Sequence, residues 1–306
     1  AVDTDKILRQ LEAESNTRDV KGMTAKIVTI LAIAMSAFHL YMAGIGRMPS
    51  NQMRMIHLGF VMGLIFLLYP WRRSKDGKPV GMNFFDYILA AAGIGANLYL
   101  FINTDAISTR GGVLYTPDYI VGGITILLVL EAARRCVGKE LSILAIVFLL
   151  YARFGRVLPG ALMHRGFSTK RLIDHMFISA EGIYGIPLGV SASVIFLFIL
   201  FGAFLSETGL SEFFTKISTS AAGDKPGGPA KVAILASGFL GMINGSAAAN
   251  VVTTGAFTIP LMKKLGYKPY FAGAVEAAAS TGGQIMPPVM GAAAFIMAEY
   301  LGIPYR

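Results

Sequence analysis

Two polar interruptions near the end of the chain constrain its fold more than any other feature. Residues 236–303 are apolar enough for a membrane interior, but glycines and small polar residues break the run at 244–255 and again at 280–288. Inside a bilayer, backbone groups outside a helix find no water, so unwound chain persists only where protein buries it or where it lines a cavity. Two such breaks in one apolar stretch therefore indicate a binding site at membrane depth.

The residues in the two breaks suit a cation that prefers oxygen ligands. Freed carbonyls and the C-terminal ends of helices attract positive charge, whereas helix N-termini face an anion. Sodium, like magnesium and calcium, is a hard cation that takes oxygen ligands. The candidate sodium ligands are Asn244, Gly245, Ser246, Asn250, Thr253, Thr281, Gly282 and Gly283. Candidates for contacting a substrate or for holding the second break open are Gln284, Pro287, Pro288 and Glu276.

Each break also has a purely structural interpretation. Gly241 and Gly245 form a small-xxx-small pair that favours close helix packing. Pro287 and Pro288 supply no backbone donor and are compatible with a kinked helix that binds nothing. Glu276 is the only carboxylate deep inside the stretch, and it either binds the coupling ion or a proton, or pairs with a lysine near the interface. The sequence leaves these alternatives open.

The whole chain has the composition of an integral membrane protein. Of its 306 residues, 54% are hydrophobic and 15% are charged, whereas soluble domains have about 25% charged residues. The net charge of +9 resides in short loops between apolar runs, as the positive-inside rule requires. No basic stripe is interleaved with exposed aromatics, so nucleic-acid binding is not expected.

Other chemistries find little support in the sequence. The single cysteine, Cys136, excludes an internal disulfide framework. The sequence has no Gly-rich P-loop, which argues against ATP as the energy source. No nucleophile, transition-metal cluster or acid pair assembles, so an enzyme is not expected. The histidines lack metal-ligand spacing, and His39 and His57 are interpreted as a polar contact between the first two spans. No cleavable secretory signal is visible.

A helix needs about 20 apolar residues to cross a bilayer. Apolar runs of about this length predict membrane spans at 24–43, 55–71, 84–102, 119–137 and 186–205. The run at 141–152 is shorter, and 168–178 and 211–221 are predicted as interfacial or surface helices. Residues 1–22, with Ile7, Leu8 and Leu11 on one face, form either a surface helix or a solvated tail. Alternating counts of Lys and Arg place the N-terminus in the cytoplasm. If successive loops alternate strictly between the two sides of the membrane, the loop after the run at 141–152 lies outside the cytoplasm. Its basic residues contradict the positive-inside rule. They are Arg153, Arg156, Arg165, Lys170 and Arg171.

The two breaks resemble the large membrane subunit of the tripartite ATP-independent periplasmic (TRAP) transporters. The run at 244–246 is similar to the first re-entrant hairpin of that family, and TGGQIMPP at 281–288 is similar to its first discontinuous helix. The chain ahead of them resembles the small membrane subunit fused in front, as in TAXI-type permeases. The resemblance implies an all-α polytopic membrane protein. Residues 1–138 would be a small-subunit-like part with a surface helix and four spans, and 139–306 the first half of an elevator-type transport domain.

The resemblance also implies a function. Such a permease imports small organic anions, chiefly carboxylates, with sodium as the coupling ion and no other cofactor. A periplasmic substrate-binding protein delivers the anion to the bacterial inner membrane. An acidic residue often stands in the family where Asn250 stands here, and a second, inverted half follows the first. The chain is therefore expected to be a fragment or to have a partner that supplies the rest; an uncoupled channel or a scaffold subunit is the alternative.

Overall fold

The computed structural model describes residues 17–18, 20–71, 81–287 and 290–305. Every regular element in these ranges is a helix, as expected for an all-α membrane protein. The surface helix considered for residues 1–22 lies almost entirely outside the described residues. In chain order the helices are α1 Gly22–Gly44, α2 Ser50–Leu68, α3 Phe84–Thr109, α4 Thr116–Cys136, α5 Lys139–Phe154, α6 Thr169–Ile178, α7 Ile186–Val190, α8 Phe196–Glu207, α9 Leu210–Ala222, α10 Gly228–Asn244, α11 Ala247–Lys264, α12 Pro269–Gly283 and α13 Ala292–Leu301. There are also short 3-10 turns at Gly155–Val157 and Gly160–Leu162 and a π-helical turn at Ser191–Ile195.

Several of these helices are long and apolar enough to cross a membrane. Within the described residues they are Gly22–Gly44, Ser50–Leu68, Phe84–Thr109, Thr116–Cys136 and Ile186–Leu205. These overlap the five predicted spans, so the prediction of a multi-pass helical membrane protein is confirmed. α5, at 16 residues, is shorter than a full span and exposes apolar side chains such as Ile143 and Val147.

The chain divides into two compact units, one ending at Ala192 and the other beginning at Ser193. In the first unit α2 and α3 pack together because small residues let them approach closely. A Cβ on Gly93 would lie 2.7 Å from the Cβ of Met62, so only glycine fits there. Phe66 and Phe177 are fully buried in the same core. The core of this unit is thus built from predicted spans together with Phe177 of α6, a helix that the sequence predicted as interfacial.

A buried ionic cluster ties together the helix ends of the first unit. The Asp86 carboxylate accepts hydrogen bonds from Arg18 at 2.6 Å and from Arg135 at 2.7 Å, and all three side chains are at most 3% exposed. Glu131 accepts from both Arg134 and Arg135. Buried charges are costly unless they are paired, and this arrangement gives each of these three arginines a carboxylate partner.

Two histidines connect α1, α2 and the π-helical turn inside the first unit. The Nε2 of His39 lies 2.9 Å from the Nδ1 of His57, whose Nε2 lies 3.1 Å from the Ser191 hydroxyl. The chain of hydrogen bonds continues to the Met35 carbonyl, 2.7 Å from the Nδ1 of His39. Both rings are buried. This is the polar contact between the first two spans that the sequence suggested.

The second unit is a smaller assembly in which α10, α11 and α12 pack against one another. Ala233, Met262 and Ala272 form a fully buried apolar cluster among these helices. α10 and α11 are antiparallel neighbours joined by only two residues, Gly245 and Ser246. All three helices also bury polar side chains, so the interior of this unit has a polar part as well as an apolar one.

Candidate functional site

The first helix break is a tight turn that only glycine can make. α10 ends at Asn244, and Gly245 adopts the left-handed region with a φ of +60° while its amide donates to the Gly241 carbonyl at 3.0 Å. The Ser246 hydroxyl then caps α11 by accepting from the amide of Ala249 at 3.3 Å. A Cβ on Gly245 would overlap the Met290 carbonyl oxygen, so conformation and space both require glycine.

The second break lies directly against the first. α12 ends at Gly283, α13 begins at Ala292, and the intervening Met290 has a φ of +57°. A Cβ on Gly241 would overlap the Cα of Gly283. The helices that lead into the two breaks therefore touch at Gly241 and Gly283, and the breaks themselves touch at Gly245 and Met290, as a site shared by both requires.

Asn250 is the residue of this region whose bonding is incomplete. Its side chain is fully buried, and its Nδ2 donates to the Ser237 carbonyl at 2.7 Å. Its Oδ1 has no hydrogen-bond partner among the described residues. A Cβ on Gly283 would lie 3.0 Å from Nδ2, which places the amide at the second break. A buried acceptor without a donor is costly, so this oxygen is suited to a ligand that brings positive charge.

Glu276 lies at the centre of a hydroxyl-lined cluster. Its carboxyl group is fully buried on α12 and lies within hydrogen-bonding distance of four hydroxyl groups. Ser237 donates to Oε1 at 2.8 Å and Ser280 at 3.1 Å, while the Thr254 and Thr258 hydroxyls reach Oε1 and Oε2 respectively. Among the described residues no Lys, Arg or His forms an ion pair with it. The structural alternative of pairing with a lysine therefore finds no partner in that part of the chain.

The side chains of Asn250 and Glu276 belong to one network through Ser237, whose carbonyl accepts from the Asn250 Nδ2 and whose hydroxyl donates to the Glu276 Oε1. The Thr254 hydroxyl also contacts this network. It lies 2.7 Å from the backbone carbonyl oxygen of Asn250 and 3.0 Å from the Ser237 hydroxyl, and it contacts the Glu276 carboxyl group. Gly255 makes room for the acid, since a Cβ there would lie 3.2 Å from the Glu276 Cγ. α10, α11 and α12 thus each contribute polar groups to one buried cluster, next to the contact between the two breaks.

The other predicted site residues lie away from this cluster or contribute backbone only. The Thr253 and Thr281 hydroxyls donate to carbonyls of their own helices, of Ala249 and Ala277, each at 2.8 Å. Gly282, Gln284 and Pro287 are exposed, and the Gln284 side chain packs against Gly291. Pro288 and the side chain of Asn244 lie outside what the structure describes.

Four hydroxyl residues of the cluster were not predicted: Ser237, Thr254, Thr258 and Ser280. For Thr254, Thr258 and Ser280 the signal was a spacing of four residues within apolar runs. Asn250, Thr254 and Thr258 share one face of α11, as Glu276 and Ser280 share one face of α12. The prediction placed both breaks too broadly, since Asn250 and Thr253 lie within α11 and residues 281–283 within α12, and most of the buried polar side chains lie on these helices. No group of three or more His, Cys, Asp or Glu that could hold a metal ion occurs in the described part of the chain.

Comparison with known proteins identifies the family of this chain. Residues 124–306, more than half of the chain, match the family model of the tripartite ATP-independent periplasmic transporter, DctM component. The isethionate TRAP transporter permease protein DctMQ of Oleidesulfovibrio alaskensis is 38% identical over 91 residues, 30% of this chain and 14% of that protein. A putative TRAP transporter large permease protein of Haemophilus influenzae is 28% identical over 127 residues, 42% of this chain and 28% of that protein.

The matched parts span less than a third of either relative's length. No solved structure matches the chain.

Proposed function

This chain belongs to the DctM component family of TRAP transporters, and we propose on that basis that it forms part of a permease that imports a small organic anion with sodium. The family consists of transporter components, which confirms the prediction that the chain is not an enzyme. The observation that carries the sodium proposal is the buried Asn250 Oδ1, an acceptor without a donor among the described residues, beside the contact between two helix breaks.

The donor set suits sodium better than a transition metal. The amide oxygen of Asn250, the hydroxyl oxygens of the cluster and the backbone carbonyls at Gly245 and Gly283 are hard, mostly uncharged ligands. Sodium held there would supply positive charge to an otherwise acceptor-rich interior. We assign Asn250 the role of ligand and Gly241, Gly245 and Gly283 the role of bringing the two breaks into contact. We also propose three further candidate ligands, each of which has an oxygen atom that can coordinate a cation: Thr253, Thr281 and Gly282.

Glu276 and its hydroxyl partners have a positioning role in this proposal. Four hydroxyl contacts from three helices hold the carboxyl group in one place. Because Ser237 accepts from the Asn250 side-chain amide through its carbonyl and donates to Glu276 through its hydroxyl, a change at Glu276 would be transmitted to the cation ligand. Gln284, Pro287 and Pro288 are proposed to shape the second break or to contact the substrate.

The rest of the transporter follows from the family. We propose that a periplasmic binding protein delivers a carboxylate to the permease in the bacterial inner membrane, with the N-terminus of this chain in the cytoplasm. Residues 1–138 are proposed to be a fused small subunit of the TAXI type and 139–306 the first half of an elevator domain. A second, inverted half, from a longer chain or a partner, would complete the substrate site.

Uptake into vesicles tests this proposal. The complete transporter would be reconstituted with its binding protein and offered candidate carboxylates under an inward gradient of sodium or of potassium. We expect uptake only with sodium, and we expect Asn250→Ala to lose that dependence while Asn103→Ala, the same change at a half-buried asparagine of the first unit, keeps it. Uptake indifferent to sodium in the wild type would refute the coupling and favour an uncoupled channel or a scaffold role.

A further inference from the structure

Two groups of basic residues in the first unit differ in their partners. Arg18, Arg134 and Arg135 pair with Asp86 and Glu131. By contrast, the basic segment, defined as residues 153–171, has five cations, none of which forms an ion pair with an acid among the described residues. These are Arg153, Arg156, Arg165, Lys170 and Arg171.

Contacts with α4 locate the basic segment at the end of the unit where α3 ends and α4 begins. The Lys170 ammonium lies over the Tyr119 ring at 5.6 Å, and Tyr119 is in the first turn of α4. α6 carries Lys170 and is held there by Ile173 and Phe177, which pack against Gly122 so closely that a Cβ would lie 2.7 Å from Ile173. Packing therefore fixes the position of Lys170.

Exposed apolar side chains alternate with these cations. Val157 is 81% exposed, Leu162 59% and Met163 64%. Apolar and basic residues together on one exposed segment are typical of chain that lies in the interface between hydrocarbon and water. Aromatic rings belong to the same level of a membrane protein, and here Arg153 and Arg171 lie over the rings of Phe154 and Phe167.

A groove of about 580 Å³ opens between α4 and Lys170. Tyr115 and Tyr119 line it beside the lysine, and Ile120, itself 59% exposed, continues its apolar wall. Neither of the nearby acids forms an ion pair with the Lys170 ammonium. Asp118 pairs with Arg110 and accepts a hydrogen bond from Tyr99. Asp174 is one turn further along α6 and forms no ion pair with Lys170. The groove thus offers an ammonium group, phenol hydroxyls and an apolar wall in one place.

We propose that this groove binds an anionic phospholipid, with Lys170 contacting the phosphate, the tyrosines flanking the headgroup and Ile120 contacting the start of an acyl chain. The arginines of the basic segment, which form no ion pair with any described acid, favour a lipid with net negative charge over a zwitterionic one. The site lies in the first unit and is independent of sodium and of the transported anion. It also gives a physical reason for basic residues that break the alternation of charge along the chain.

Native mass spectrometry of the purified chain in mild detergent tests the proposal, with phosphatidylglycerol, phosphatidylcholine and inorganic phosphate as probes. We expect phosphatidylglycerol to be retained more tightly than phosphatidylcholine, and Lys170→Gln to weaken that retention about fivefold, the effect of one lysine near an anionic lipid surface. Lys225→Gln removes the same charge from an exposed turn of the other unit and should change nothing. Lys170→Arg should retain binding, which separates loss of charge from loss of fold.

Equal effects of Lys170→Gln and Lys225→Gln would overturn the proposal, as would equal retention of the two lipids. Competition by inorganic phosphate at concentrations that match the lipid would show a free-anion site and would also overturn it. Failure of the wild-type chain to retain either lipid would overturn it as well.

Discussion

At Glu276, four hydroxyl groups surround a carboxyl group that no cation among the described residues reaches. Replacing the acid by a group that accepts no hydrogen bond would strand hydroxyls in the interior, at about 1–3 kcal/mol each. Thr254 and Thr258 have backbone carbonyls as alternative acceptors, and Ser237 has the Thr254 hydroxyl, so Ser280 would suffer most.

We therefore expect Glu276→Leu to lower the midpoint of thermal unfolding in detergent more than Glu276→Gln does. Glutamine keeps one acceptor oxygen and can donate to the hydroxyl of Thr258, whose own proton then goes to the Thr254 carbonyl. The exposed Glu299 offers a control, since Glu299→Leu should have little effect. If both Glu276 variants lowered the unfolding midpoint equally, hydrogen bonds from the hydroxyl groups to Glu276 would not stabilise the fold.

A similar prediction concerns Asp86 in the first unit. Asp86→Ala would leave Arg18 and Arg135 buried without this acceptor, and removing one partner of a buried pair costs about 3–5 kcal/mol. We expect this variant to unfold at clearly lower temperature or to fail to accumulate in the membrane, while Asp105→Ala at an exposed position behaves like the wild type. Normal stability of Asp86→Ala, measured by thermal unfolding, would contradict the buried ionic cluster.

Sequence patterns located some of these residues and missed others for a physical reason. Asn250 and Glu276 were identified because polar groups in an apolar run are costly and conspicuous. Thr254 and Thr258 were missed because threonine in a membrane helix normally bonds its own backbone, as both also do here. Only the packing of three helices shows that the same hydroxyls also reach a carboxyl group.

Among the helices, α10 and α12 approach each other closely at Gly241 and Gly283. We expect Gly241→Ala to be destabilising, since its Cβ would overlap backbone that cannot move aside. Gly273→Ala is the matched control in α12, because nothing lies within 4 Å of a Cβ there and alanine favours a helix by about 1 kcal/mol over glycine. Thermal unfolding should separate the two variants in opposite directions, and equal behaviour would refute the close contact.

Helix existence followed from hydropathy, but helix ends did not. α3 was predicted to end at 102 and continues to Thr109. The polar residues that suggested a boundary are accommodated inside the helix, because Asn103 donates to the Tyr99 carbonyl at 2.8 Å and Thr104 to the Leu100 carbonyl at 2.7 Å. The helix at 168–178, in contrast, was predicted closely, since Ser168 caps it by accepting from the Arg171 amide.

On the scale of the molecule, compactness divides the chain at Ala192 and Ser193, whereas the family model begins at residue 124. A compact unit and an evolutionary unit need not coincide, so the proposed division at 138 into a small-subunit part and a transport part stays a prediction. Sequence patterns could locate the two breaks but not their contact, because that contact depends on how α10, α11 and α12 pack. The chain belongs to a transporter family, and its proposed site is formed by the second unit.

Sodium binding to the purified complete transporter, titrated without substrate, tests the central claim most directly. We predict saturable binding of sodium but not of potassium. We also predict about tenfold weaker affinity in Asn250→Leu, since a ligand bond to a charged group is worth about 1.5–3 kcal/mol and about 1.4 kcal/mol is tenfold. Asn103→Leu should bind as the wild type does. No sodium binding, or an unchanged affinity in Asn250→Leu, would contradict the assignment of a cation site to the contact between the two helix breaks.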